Sequence, residues 1–139
     1  PDKVEIEGTF RTFNEDWRNE AHDLINEIIK TTIKDSGINA ELNIVKGYPV
    51  LINDEKLTNI IKRNIELLIE KKNIEELPLR MTADDFAYYS HKIPSCYFRI
   101  GVGNPNSNEI RNLHTSTFDI HNDGILTGLK AIVSAIGGF

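Results

Sequence analysis

Between Asn14 and Gly37, the residues Trp17, Ala21, Leu24, Ile25, Ile28, Ile29 and Ile33 recur at the spacing that puts them on one side of an α-helix. Asn14 supplies an N-cap, Glu15 and Asp16 put negative charge in the first turn, and Gly37 supplies a stop, so the pattern predicts a helix to about Lys34. A helix with one apolar stripe must bury it, and its two flanks offer matching surfaces. Val4, Ile6, Gly8 and Phe10 alternate with Glu5, Glu7, Thr9 and Arg11, and Ile38, Ala40, Leu42 and Ile44 alternate with Asn39, Glu41 and Asn43. A period of two reads as one-sided strands. Strands of this kind around an amphipathic helix predict a layered α+β unit, with helices on one face of a small antiparallel sheet.

After Pro49 the pattern changes, which suggests two segments, residues 1–48 and 49–139. Asn53 or Asp54 caps a second helix whose stripe is Leu57, Ile60, Ile61, Ile65 and Leu68, running to about Lys72. Thr82-Ala83-Asp84-Asp85 resembles a capping box opening a short helix through Phe86, Ala87 and Tyr89. Cys96 to Ile100 reads as a strand buried on both faces, the habit of a central strand in an α/β sheet. Gly101-Val102-Gly103 ends it. A loop rich in Asn, Ser and Pro then runs from Asn104 to about Asn122, and loops of that length inside compact domains are commonly functional. A last helix turns Ile125, Leu126, Leu129, Ile132, Val133 and Ile136 inward and stops at Gly137 and Gly138.

Composition narrows the function classes. The net charge of -5 is spread without basic clusters, which argues against nucleic acid as a partner. The longest apolar runs fall far short of the roughly 20 residues that span a bilayer, so membrane association is not expected. The single cysteine, Cys96, excludes an intrachain disulfide and points to a reducing cytoplasm. The one methionine, Met81, is internal and the sequence opens on Pro1, as expected of a processed or excised piece.

Four histidines and several acids are the ingredients for chemistry. His22 falls on the polar side of the first helix, and His91 follows a short helix, where a dipole role is the simpler reading. His114 and His121 lie in the long loop with Asp119 between them, a better setting for a site. His114 is the candidate metal ligand, although no HxH, HExxH or CxxC spacing accompanies it. Asp84 and Asp85 are adjacent, which on a helix points them about 100° apart, so N-capping suits at least one of them better than a paired-carboxylate site. Cys96 reads as a small buried hydrophobe. Gly101 and Gly103 fit a strand end or a close approach of backbone to a ligand. Arg11 suits either a substrate carboxylate or a cross-strand ion pair with Glu5 or Glu41.

Five motifs stand in order along nearly the whole chain: GTFRTFNEDWR from Gly8, YPVLIND from Tyr48, MTADDFAYY from Met81, IGVG from Ile100 and LHTSTFDIHNDGIL from Leu113. Together they resemble the C-terminal part of the binuclear-metal amidohydrolases, which include hippurate hydrolases, N-acyl-amino-acid amidohydrolases and auxin-conjugate hydrolases. The resemblance implies an α/β catalytic domain with an inserted ferredoxin-like lid and dimerisation domain. Residues 1–48 would be the strand-helix-strand half of that lid, and residues 49–139 the closing segment of the catalytic domain.

The chemistry so implied is hydrolysis of the amide bond of small N-acylated amino acids, in which two divalent ions, zinc or manganese, activate a water while a glutamate shuttles the proton. The histidine of the LH motif is a metal ligand in that family and matches His114. The remaining ligands, the catalytic glutamate and the lid histidine have no counterpart in these residues, so the isolated chain is expected to be inactive. Asp84-Asp85-Phe86 stands where the family carries Glu-Asp-Phe, which makes Asp84 and Asp85 capping residues or supports of the metal shell. Gly101 and Gly103 match a loop near the substrate, and Arg11 is a substrate-binding candidate. A homodimer through the lid is also implied. The competing expectation is a non-catalytic α+β module for dimerisation or small-molecule binding.

Overall fold

A computed structural model of the chain describes residues 2–107, 109 and 111–137. The chain divides into two units, Pro1–Leu51 with Leu79–Tyr88, and Ile52–Pro78 with Tyr89–Phe139.

The first unit is built on helix α1, Glu15–Ile33. The Asn14 side chain accepts the Trp17 N–H at 2.9 Å, the expected N-cap, and Gly37 takes a φ of 70° just beyond the C-terminus. The inward line runs through Arg18, Ala21, Ile25, Ile29 and Ile33, while Trp17, Leu24 and Ile28 face outward. His22, expected on the solvated side, is half-buried. Arg18 joins the helix to the following chain: its Nη1 donates to the Tyr48 carbonyl at 2.7 Å and its Nη2 to Glu15, whose other carboxylate oxygen accepts the Val50 N–H at 2.9 Å. Tyr48 and Tyr88 meet edge to face at 5.8 Å within the same unit.

The second unit contains α2, Glu55–Ile65, and α4, Asn122–Gly137, which pack on each other. Asp54, not Asn53, caps α2, accepting the Leu57 N–H at 2.7 Å. The helix ends at Ile65, short of Lys72, and a 3-10 turn follows at Lys71–Asn73. The short α3, Ala87–Ser90, spans the division between the units. In α4 the small residues Gly124, Ala131 and Ser134 are buried, with Gly124 held against the backbone of Gly101 and Val102. The large aliphatics expected to point inward point outward instead: Ile125, Leu126, Leu129, Ile132, Val133 and Ile136 are 52% to 66% exposed. Of the glycines expected to stop this helix, Gly137 is its last residue, and Gly138 lies outside the described residues.

The α/β expectation, an α+β lid half with a ferredoxin-like fold followed by an α/β catalytic segment, does not hold: no β-strand is present among the described residues. Alternation selects which side chains could share a face, but a strand also needs a second backbone about 4.8 Å away to receive its N–H and C=O groups. Val4, Ile6 and Ile38 stay exposed, and their segments carry no ladder. Around Cys96 to Ile100 the backbone bonds run to other groups. Ser95 O accepts the Asp54 N–H at 2.8 Å, and the Asn53 amide takes both backbone groups of Tyr97, accepting its N–H at 2.7 Å and donating to its carbonyl at 2.9 Å.

Candidate functional site

The loop after Val102 returns to its starting point, where the His121 N–H donates to the Val102 carbonyl at 2.9 Å. Local bonds shape its course. Asn104 Oδ1 accepts the Asn106 N–H at 2.9 Å, and Thr115 Oγ1 donates to the Asn112 carbonyl at 2.8 Å, both short-range bonds typical of polar turn residues. Arg111 ties two stretches of the loop together, donating from Nη1 to Asp119 at 2.9 Å and from Nη2 to Glu109 at 3.2 Å.

His114 sits at the turn between these ties. Its φ is 64°, and among the described residues it is the one non-glycine residue in the left-handed region. A side chain with a Cβ is held there at a cost of about 1–2 kcal/mol, and such outliers concentrate at functional sites. The imidazole is exposed. No group of three or more His, Cys, Asp or Glu is disposed to hold a metal ion among the described residues. A divalent ion of this class takes three or four protein donors. These residues therefore do not fit such an ion unaided.

The other expected site residues are divided between the units. Gly103 lines a polar cavity of about 310 Å³, together with Arg111, Asp119, Ile120 and His121. Gly101 has a packing role: a Cβ on Gly124 would lie 3.4 Å from its carbonyl oxygen. Arg11, Asp84 and Asp85 belong to the first unit. Arg11 Nη1 donates to the Met81 carbonyl at 2.7 Å, while Glu5, one of its expected ion-pair partners, pairs with Lys3. Asp84 caps the approach to α3, accepting the Phe86 N–H at 2.9 Å while its carbonyl accepts the Ala87 N–H at 3.2 Å. Asp85 is exposed.

Sequence reasoning passed over the Arg111 bridge and the cavity beside His121. The signal was present as acid, base and acid at Glu109, Arg111 and Asp119 in an otherwise neutral loop. His121 Nδ1 accepts the Asp123 N–H at 3.3 Å and lies 3.5 Å from the Asp123 carboxylate, which ties this ring to the start of α4.

Residues 4–137 match the model of peptidase family M20/M25/M40, so the chain belongs to that family. It is 29% identical over 124 residues to the uncharacterized hydrolase y4tI of Sinorhizobium fredii (strain NBRC 101917 / NGR234), covering 89% of this chain and 30% of that protein. Over 132 residues it is 26% identical to thermostable carboxypeptidase 2 of Saccharolobus solfataricus (strain ATCC 35092 / DSM 1617 / JCM 11322 / P2), covering 94% of this chain and 33% of the relative. It is 28% identical over 132 residues to the IAA-amino acid hydrolase ILR1-like 6 of Arabidopsis thaliana, with 92% and 28% covered. The chain spans about a third of the length of these curated relatives. No solved structure matches it. No helix among the described residues is long and apolar enough to cross a membrane.

Proposed function

We propose that this chain is part of a metal-dependent amidohydrolase that cleaves the amide bond of N-acyl amino acids or similar small amides, and that it contributes His114 as one metal ligand. The observation that carries this reading is the coincidence at His114. The histidine whose motif resembles the ligand-bearing one of the family is also the one non-glycine residue held at positive φ among those described. Strain of about 1–2 kcal/mol at an exposed turn does nothing for packing, and a ligand role accounts for it.

On this reading zinc or manganese is the cofactor, with two ions in the intact enzyme, and residues 49–139 belong to the catalytic domain. Residues 1–48 belong to the dimerisation region of a homodimer. Gly101, Gly103 and Arg11 lie toward the substrate, with Asp84 and Asp85 as supports. Cys96, a free cysteine, supports a reducing cytoplasm as the compartment.

Release of free amino acid from N-acetyl amino acids tests the proposal, assayed with zinc or manganese on a family-length polypeptide carrying this segment. Turnover should fall by at least about 100-fold in His114→Ala, as expected for loss of a metal donor, and the 139-residue chain alone should be inactive. Turnover by the isolated chain that His114→Ala leaves unchanged would refute it.

A further inference from the structure

The turn that carries His114 lies in the open. Every residue from 111 to 120 is exposed, so burial does not set the backbone there. A residue with a Cβ nevertheless sits at a φ of 64°. Such a conformation persists only where its surroundings over-determine it. Two bonds inside the turn are local: Thr115 Oγ1 donates to the Asn112 carbonyl at 2.8 Å, and the Phe118 N–H donates to the Thr115 carbonyl at 3.1 Å. Neither reaches beyond residues 112–118.

Arg111 does reach across. Its Nη1 donates to Asp119 at 2.9 Å, on the far side of the turn, and its Nη2 donates to Glu109 at 3.2 Å. Glu109, Arg111 and Asp119 are the three Asp, Glu, Lys or Arg residues between Asn104 and Asn122, and all three meet in this cluster. An isolated exposed ion pair contributes little, but one guanidinium shared by two carboxylates is a network of directional bonds. At the base of the loop, the His121 N–H closes onto the Val102 carbonyl at 2.9 Å. The His114 turn is therefore a loop within a loop, and Arg111 closes the inner one.

We propose that Arg111 is a positioning residue: by joining position 111 to position 119 it holds residues 112–118 in the turn that keeps His114 left-handed. The proposal rests on the role given to His114 above and names the group that holds it in place. Arg111 also lines the polar cavity beside His121, where the rival role is to meet an anionic ligand. Each of its Nη nitrogens already bonds a carboxylate of the loop, which favours the brace.

Arg111→Ala, Arg111→Lys, Asp119→Asn and the exchanged pair Arg111→Asp with Asp119→Arg test it in the family-length polypeptide. NMR of the metal-free polypeptide with isotope-labelled histidine reports the backbone conformation at His114. Arg111→Ala should move His114 out of the left-handed region, and the exchanged pair should restore it; unchanged His114 signals in Arg111→Ala would overturn the proposal. In amidohydrolase assays Arg111→Ala and Asp119→Asn should each lower kcat about tenfold and leave KM within about twofold, the pattern of a displaced group. Arg111→Lys, whose ammonium meets one carboxylate at a time, should lose about threefold, and the exchanged pair should come within about threefold of the parent. A KM raised more than about tenfold in Arg111→Ala, with no recovery in the exchanged pair, would make Arg111 a substrate ligand and overturn the proposal. So would a loss of kcat matched by a lower urea midpoint, because bracing an exposed turn should leave global stability unchanged. If His114→Ala leaves turnover intact, the metal-ligand reading falls, and the NMR measurement decides the brace by itself.

Discussion

The Asn53 side chain binds Tyr97 as a neighbouring strand would, accepting its backbone N–H at 2.7 Å and donating to its carbonyl at 2.9 Å. One amide thus satisfies both main-chain groups of a residue in a segment whose composition suggests a strand. Each bond is worth about 0.5–1.5 kcal/mol. Asn53→Ala should therefore lower stability by about 1–3 kcal/mol in urea unfolding. Asn53→Asp keeps the acceptor and loses the donor, and should fall between the two.

Gly124 and Gly128 stand one helical turn apart on α4 and should respond oppositely to alanine. A Cβ at position 124 would sit 3.2 Å from Val102 Cγ1 and 3.3 Å from Val102 Cα, whereas at position 128 the nearest atom, Ile100 Cγ1, is 3.8 Å away. Gly128→Ala should stabilise by up to about 1 kcal/mol through helix propensity. At Gly124 the same gain is opposed by crowding against backbone, so Gly124→Ala should be close to neutral and Gly124→Val should cost about 1–3 kcal/mol. Denaturation midpoints of the three variants distinguish these outcomes.

Arg18 holds residues 48–50 to the start of α1 through a side chain only 11% exposed. Its bond to the Tyr48 carbonyl and its pairing with Glu15, which in turn accepts the Val50 N–H, form one connected group. Arg18→Met keeps much of the packing and removes both charge-assisted bonds, for an expected loss of about 2 kcal/mol. Glu15→Gln should cost less, because the amide oxygen can still accept from Val50. Thermal melts of the two variants test that order.

The exposed pair Lys62 and Glu76, 2.8 Å apart, should give a weak pH dependence. Hydrogen bonding to Lys62 lowers the Glu76 pKa, and the bond to Glu76 raises that of Lys62. The Glu76 contribution is complete above its unfolded pKa and fades as pH falls through the lowered folded value. The Lys62 contribution is complete below its unfolded pKa and is lost as pH rises through the raised folded value. Glu76→Gln should flatten both edges of the stability profile, and 1 M salt should shrink the difference from the parent at neutral pH.

The helices were legible because their signals are local. Asn14 and Asp54 each cap through a bond to a residue three positions on, and Gly37 stops α1 through its own backbone conformation. The supposed strands were not, because alternation at Val4 to Phe10 or Ile38 to Ile44 describes side chains, and pairing needs a second backbone. The direction of α4 is not legible for a related reason: apolarity marks one side as the inner one, yet the buried side carries Gly124, where an added Cβ would sit tightly, 3.2 Å from Val102 Cγ1. His114 was singled out by its motif, while its left-handed backbone has no signature in the sequence.

That backbone allows a direct test of the central proposal, through metal content and stability measured together on the His114→Gly variant of a family-length polypeptide carrying this segment. Glycine relieves the φ of 64° and should raise the apo protein's unfolding free energy by about 0.5–1 kcal/mol. It also removes the imidazole, so bound zinc or manganese per chain should fall together with amidohydrolase turnover. A more stable apo protein that binds less metal is the expected result. Unchanged metal content and turnover in His114→Gly would contradict the assignment of His114 as a ligand.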